Sequence, residues 1–147
     1  ALFGKDGRRK DLKQATIRVK EIMKSIDLEQ KKDFQVTEIS LPDLKKMELA
    51  RVLAMEPDLI FLDEIMAGLN PTEVKETSSL IKNLRKENNI TFVYIEHIMK
   101  AVMEISGRII VLHHGKKIAE GVPQIVVNNP AVIEAYLGKR YAKEMSP

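Results

Sequence analysis

Leu59-Ile60-Phe61-Leu62-Asp63-Glu64, followed at once by Ile65-Met66-Ala67-Gly68-Leu69-Asn70-Pro71, is the stretch on which the fold turns. Four consecutive apolar residues suit a strand buried on both faces, as inside a parallel sheet. Two adjacent carboxylates then close it, where the strand emerges at the sheet's carboxyl edge and open α/β sheets bind ligands. Adjacent acids at such a point can divide the work, one holding Mg2+ through water and the other orienting a nucleophilic water. Any apolar strand meeting its loop can also look like this, so the neighbouring segments decide.

Downstream, Asn70-Pro71-Thr72 opens a helix that runs to about Lys86, with Val74, Thr77, Leu80, Ile81 and Leu84 facing inward. Asn70 is its N-cap and Pro71 takes the first helical position. Asn88-Asn89 ends the helix, and Ile90-Thr91-Phe92-Val93-Tyr94-Ile95 is a second buried strand rich in β-branched and aromatic residues. Strand, helix and strand in this order make one parallel crossover, right-handed by the usual rule. Glu96-His97 comes directly after, which puts His97 on the same sheet edge as Glu64.

Upstream, apolar residues at Leu12, Ala15, Val19, Ile22, Met23 and Ile26 give an amphipathic helix over about 10–28 with a basic outer face. Ser40-Leu41-Pro42-Asp43 opens another helix, to about Met55. Ser40 and Asp43 have capping-box spacing there, and Leu44, Met47, Ala50 and Leu53 or Ala54 form the buried stripe. Beyond His97 a short helix spans about 98–105. Arg108 to Leu112 and Lys116 to Ala119 flank a His113-His114-Gly115 turn, and short closing helices cover Pro123 to Val127 and Pro130 to Leu137. The chain thus divides into three regions: 1–57 helical, 58–121 the strand core with its hairpin, and 122–147 the closing helices.

Composition bounds the rest. The chain has 147 residues, 44% apolar and 31% charged, which is ordinary for a globular domain or part of one. With no cysteine, neither a disulfide framework nor a thiolate metal site is available. No apolar run is long enough to cross a bilayer and no secretory signal is recognisable, so the cytoplasm is the default compartment. The net charge of +3 is spread over several helices beside acids, and the few aromatic residues do not interleave with the basic runs Lys5 to Lys13 and Lys139 to Lys143. That distribution reads as a solvated surface rather than a nucleic-acid platform.

Asp63-Glu64, the Ala67-Gly68-Leu69-Asn70 loop and Glu96-His97 therefore converge on one edge, joined by Ser40 at a helix start. Acids for metal and water, a histidine and an anion-seeking helix end describe phosphoryl-transfer chemistry. The order and spacing resemble the ATP-binding cassette ATPases. Leu59 to Glu64 looks like the Walker B strand with its catalytic glutamate, Ala67 to Asn70 like the D-loop, and His97 falls where that family places its switch histidine. Glu48-Leu49-Ala50-Arg51-Val52-Leu53-Ala54 resembles the helix after the signature motif. Ile95-Glu96-His97, Gly115 to Gly121 and Val132 to Gly138 look most like ATP-binding subunits of branched-chain amino acid importers.

The resemblance implies an α/β, P-loop NTPase-like fold, a largely parallel sheet with flanking helices, truncated at the N-terminal side. It implies ATP and Mg2+ as cofactors, transmembrane permease subunits and a second ATPase subunit as partners, and a place on the inner face of the cell membrane. It further implies that Asp63 holds Mg2+ through water, Glu64 is the general base, His97 contacts the γ-phosphate, Ser40 contacts nucleotide on the opposing subunit, and Asn70 relays between sites. Two departures stand out. The signature segment is Ile39-Ser40-Leu41-Pro42-Asp43, without its glycines, and Pro42 has no backbone N–H to offer.

These residues also contain no G-x-x-x-x-G-K-[ST] phosphate loop; the Gly4-Lys5 pair is followed by Asp6 and no strand precedes it. The chain then reads as the carboxyl-terminal, larger part of a nucleotide-binding domain, binding ATP poorly by itself. Losing a neighbouring strand and helix would leave ~300 Å² of apolar surface wet, forfeiting ~7 kcal/mol of a typical ~5–15. Self-association through that face is the expected remedy. A non-catalytic dimerisation or docking module and a nucleic-acid-linked cassette ATPase are the alternatives.

Overall fold

A computed structural model describes residues 5–137. The basic run Lys139 to Lys143 lies outside them. The described chain forms two compact units that divide after His97.

The first unit opens with α1 (Lys5–Ser25), then single 3-10 turns at Glu29–Lys31 and Val36–Glu38, α2 (Leu41–Leu53), β1 (Leu59–Asp63), α3 (Pro71–Asn88) and β2 (Thr91–Ile95). β1 and β2 pair in parallel, Ile60 opposite Phe92 and Asp63 opposite Ile95, with α3 as the crossover. The α3 start obeys its sequence closely. Asn70 Oδ1 accepts from the Thr72 and Glu73 N–H groups, and the Asn70 N–H donates to Glu73 Oε2 at 2.8 Å. The helix ends in a left-handed Asn89 (φ 53°). Thr77, Ser78, Ile81 and Leu84 are its buried residues.

Burial corrects the sequence reading in three places. Neither strand is covered on both faces. Ile60 and Leu62 are buried, whereas Leu59 is 46% exposed, Phe61 72%, Val93 43% and Ile95 63%. The pleat sends alternate side chains to opposite faces, and only one face of this pair is covered. In α2 the buried residues are Asp43, Leu49 and Leu53, with Leu44, Met47 and Ala50 only half-buried, so the helix is rotated from the expected stripe. In α1 the apolar stripe is buried only toward its end: Ile22 and Met23 are half-buried and Ile26 beyond the helix is fully so, while Leu12 and Val19 are exposed.

The second unit holds α4 (Met99–Ile105), β3 (Ile109–His113), β4 (Lys116–Gly121), α5 (Pro123–Val127) and α6 (Pro130–Leu137). β3 and β4 form an antiparallel hairpin through His114 (φ 46°) and Gly115 (φ 74°). Two left-handed residues in succession are what a two-residue hairpin turn requires, and glycine supplies one without strain. Ile109, Val111, Val126 and Val132 make this unit's core, with Met99, Val102 and Ile118 packed against it.

Candidate functional site

The carboxyl edge of the parallel pair is built by a single departure from strand geometry. The ladder continues one residue past Asp63, with the Glu64 N–H donating to the Ile95 carbonyl at 2.9 Å. Glu64 itself is left-handed (φ 47°). A non-glycine residue there costs about 1 kcal/mol or more and persists only where its surroundings hold it. The turn delivers Ile65 and Met66 into the interior, Met66 with no exposed surface. The Ala67 N–H then donates to the Glu64 carbonyl at 3.0 Å, and the Leu69 N–H to that of Met66 at 3.2 Å.

This leaves the Glu64 side chain standing at the edge. Its Oε1 lies 3.6 Å from His97 Nδ1, with the two side chains 58% and 65% exposed. A contact this open adds little to folding, since solvent screens both side chains. It leaves a carboxylate oxygen and an imidazole nitrogen side by side and open to solvent. Asp63, the last residue of β1, is exposed beside it.

Mg2+ demands near-octahedral oxygen geometry and gives up its waters reluctantly, needing one or two carboxylates. Among the described residues no group of three or more His, Cys, Asp or Glu could hold a metal. Asp63 is a single exposed carboxylate at this edge, one of the one or two that a Mg2+ site uses.

The Ala67–Asn70 loop meets the start of α2. Gly68 has φ +81°, and a Cβ there would lie 3.1 Å from Leu41 Cδ2. Leu41, the residue after Ser40, is the neighbour of the loop, while the Asn70 side-chain oxygen is committed to capping α3. Ser40 is the N-cap of α2 but makes no side-chain cap bond. Its hydroxyl instead donates to Asp43 Oδ2 at 2.7 Å, so the expected capping box does not form.

Asp43 is the residue that the sequence reading places wrongly. It is 6% exposed and pairs with Lys31 as well as Ser40, with Lys46 Nζ 3.9 Å from its other oxygen. Burial pushes its pKa up, but the hydrogen bonds from Lys31 and Ser40 and the charges of Lys31 and Lys46 outweigh this and hold it below the ordinary aspartate value. The folded chain then binds this proton less tightly than the unfolded chain. The resulting stability is complete above the ordinary aspartate range and drains away as pH falls below it. The urea midpoint should therefore fall between about pH 5 and pH 3, less steeply in Asp43→Asn, which has no carboxyl to protonate. Equal slopes in the two proteins would refute that assignment.

Glu96 has no role in the sequence reading beyond its place before His97. Its Oε1 accepts from the Met66 N–H at 2.9 Å, and its Oε2 is buried with no hydrogen-bond partner among the described residues. Nothing in the sequence signals this contact, because it joins positions thirty residues apart through a turn that only the fold creates.

A family model described as branched-chain amino acid ATP-binding cassette transporter matches residues 116–142. The chain is similar to the high-affinity branched-chain amino acid transport ATP-binding protein LivG of Escherichia coli, 46% identical over 105 residues, or 71% of this chain and 41% of that protein. It is also similar to BraF of Pseudomonas aeruginosa, 45% identical over 95 residues, covering 65% of this chain and 37% of the relative. The chain thus spans about two fifths of the length of these curated relatives. Among solved structures, an ATP-binding cassette of an ABC transporter in its ADP conformation matches 86% of this chain and 51% of its own, with a TM-score of 0.77 and 28% identity. A nucleotide-free cassette matches with a TM-score of 0.76 at 27% identity, over 86% of this chain and 51% of its own.

Proposed function

Because the chain belongs to the ATP-binding cassette ATPases, we propose that Asp63, Glu64 and His97 make up the metal-and-water side of an ATP-hydrolysing site. The whole protein would be the ATP-binding subunit of an importer for branched-chain amino acids. The observation that carries the reading is the exposed Glu64–His97 pair at 3.6 Å, one and two residues past the ends of adjacent parallel strands. The similarity to LivG and BraF supports the solute class.

In this reading Asp63 would hold Mg2+ through water, and that ion would neutralise charge on the phosphate oxygens. The Glu64 carboxylate orients the attacking water and accepts its proton, and the His97 imidazole contacts the γ-phosphate. Ser40 contacts nucleotide held by a second ATPase subunit, and the Ala67–Asn70 loop, rooted in α3 through Asn70, links the two sites. The subunit sits on the cytoplasmic face of the membrane against transmembrane permease subunits. No helix among the described residues is long and apolar enough to cross a membrane.

A chimera tests the site. Residues 58–137 replace the matching segment of Escherichia coli LivG, leaving that protein's own upstream part in place. We expect Mg2+-dependent ATP hydrolysis within about tenfold of the parent, a barrier change of no more than ~1.4 kcal/mol. A chimera that binds ATP as the parent does but has lost hydrolysis altogether would defeat the proposal.

One observation favours a second reading for the α2 start. The Ser40 hydroxyl donates inward to a buried carboxylate, and Pro42 offers no N–H, so this segment suits a dimer face that makes no phosphate contact. Extending the chimera back to residue 22 separates the two. Under the second reading it keeps ATP affinity and loses turnover.

A further inference from the structure

We infer that Glu96 is a positioning residue of this edge, gripping the backbone between the Glu64 side chain and the Ala67–Asn70 loop. Its purpose rests on the reading of the edge as a nucleotide site, but its geometry does not.

Glu64 leaves β1 in a left-handed conformation, so the residues after it must be pinned or its side chain will wander. The Glu64 N–H is held on the strand side by the Ile95 carbonyl. Two residues on, Met66 is fully buried, and its N–H has no strand or helix partner. A buried amide without an acceptor is costly, and here the acceptor is Glu96 Oε1 at 2.9 Å. Glu96 stands between Ile95, which holds Glu64 from the ladder, and His97, which faces Glu64 across 3.6 Å. One short segment of β2 and its exit therefore fixes both ends of the Glu64 turn and places the histidine opposite.

What only a long side chain with a terminal acceptor provides is the reach to Met66. The same bond ties the Met66 N–H to the strand that carries His97, so the loop leading to Gly68 and Asn70 cannot shift without disturbing the histidine side of the edge.

Amide hydrogen exchange in the 147-residue chain, followed by NMR, separates reach from charge. Glu96→Gln loses the charge and keeps an oxygen at the same distance, while Glu96→Asp keeps the charge and falls short. Met66 should be protected in the wild type and in Glu96→Gln, and should exchange at least tenfold faster in Glu96→Asp. Leu62 and Leu84 report global stability in the same spectra, and their protection should move far less than that of Met66. Unchanged Met66 exchange in Glu96→Asp would overturn the inference, and so would a change matched by Leu62 and Leu84. ATP does not enter the measurement, so a failed hydrolysis chimera would leave this result standing, and the converse also holds.

Discussion

Glu64→Gln in the hydrolysing chimera is expected to lower turnover by about 10²–10⁴-fold, the span that a positioned general base contributes. Binding of ATP should stay within a few-fold, because the substitution removes basicity and keeps shape. The structure says why folding should be indifferent to it. The Glu64 side chain is 58% exposed, and its contact with His97 is as open to solvent. The bond that holds the residue in place, from its N–H to the Ile95 carbonyl, belongs to the backbone and survives any side chain that tolerates φ 47°. A loss of turnover without a loss of melting temperature or ATP affinity is therefore the signature of a base. Should turnover fall less than tenfold, the proton goes elsewhere; a fall in affinity equal to the fall in rate would make Glu64 a binding group instead.

Ile60→Ala and Phe61→Thr, adjacent on one strand, should have opposite consequences. Ile60 is 2% exposed and its truncation leaves a cavity, costing about 2–5 kcal/mol, a large share of a typical domain's stability of about 5–15. Phe61 is 72% exposed, and its replacement should move monomer stability by no more than about 0.5 kcal/mol. The same change should weaken association between chains. Phe61 sits opposite Val93 in the ladder, and with Leu59 and Ile95 it lines one uncovered apolar face. Chemical unfolding measures the first difference and sedimentation at rising concentration the second. If Phe61→Thr proved as destabilising as Ile60→Ala, that face would be covered within the chain. A wild type that stays strictly monomeric into the high micromolar range would dispose of self-association.

Much of this architecture is legible in the residues themselves. Helix starts arise from local hydrogen bonding, and Asn70-Pro71 with Glu73 specifies the cap of α3 without help from the fold. The hairpin through His114-Gly115 and the closing helices opened by Pro123 and Pro130 are local in the same sense. The parallel pair and the meeting of Glu64 with His97 can also be anticipated, because a strand–helix–strand run leaves few ways to pack and both residues lie just past strands.

Misreadings arise wherever a side chain has a choice of partner. Ser40 and Asp43 have the spacing of a capping pair, yet the carboxylate turns to Lys31 and draws the serine hydroxyl with it. A buried anion gains more from a cation and two hydrogen bonds than from one backbone amide. Periodicity alone cannot say that α2 presents Asp43, Leu49 and Leu53 rather than Leu44, Met47 and Ala50, since neighbouring stripes on one helix differ by a modest rotation.

By itself, then, the sequence determined the order of elements, the α/β class of the fold, and the place of Asp63, Glu64 and His97 at the ends of paired strands, all set by local propensity and short-range geometry. Tertiary structure alone decided which sheet face is dry, which carboxylate is buried, and that Glu96 closes the turn beyond Glu64. Each of those depends on desolvation, and whether a group is desolvated is fixed by what packs over it, which the group's own neighbours in sequence do not specify.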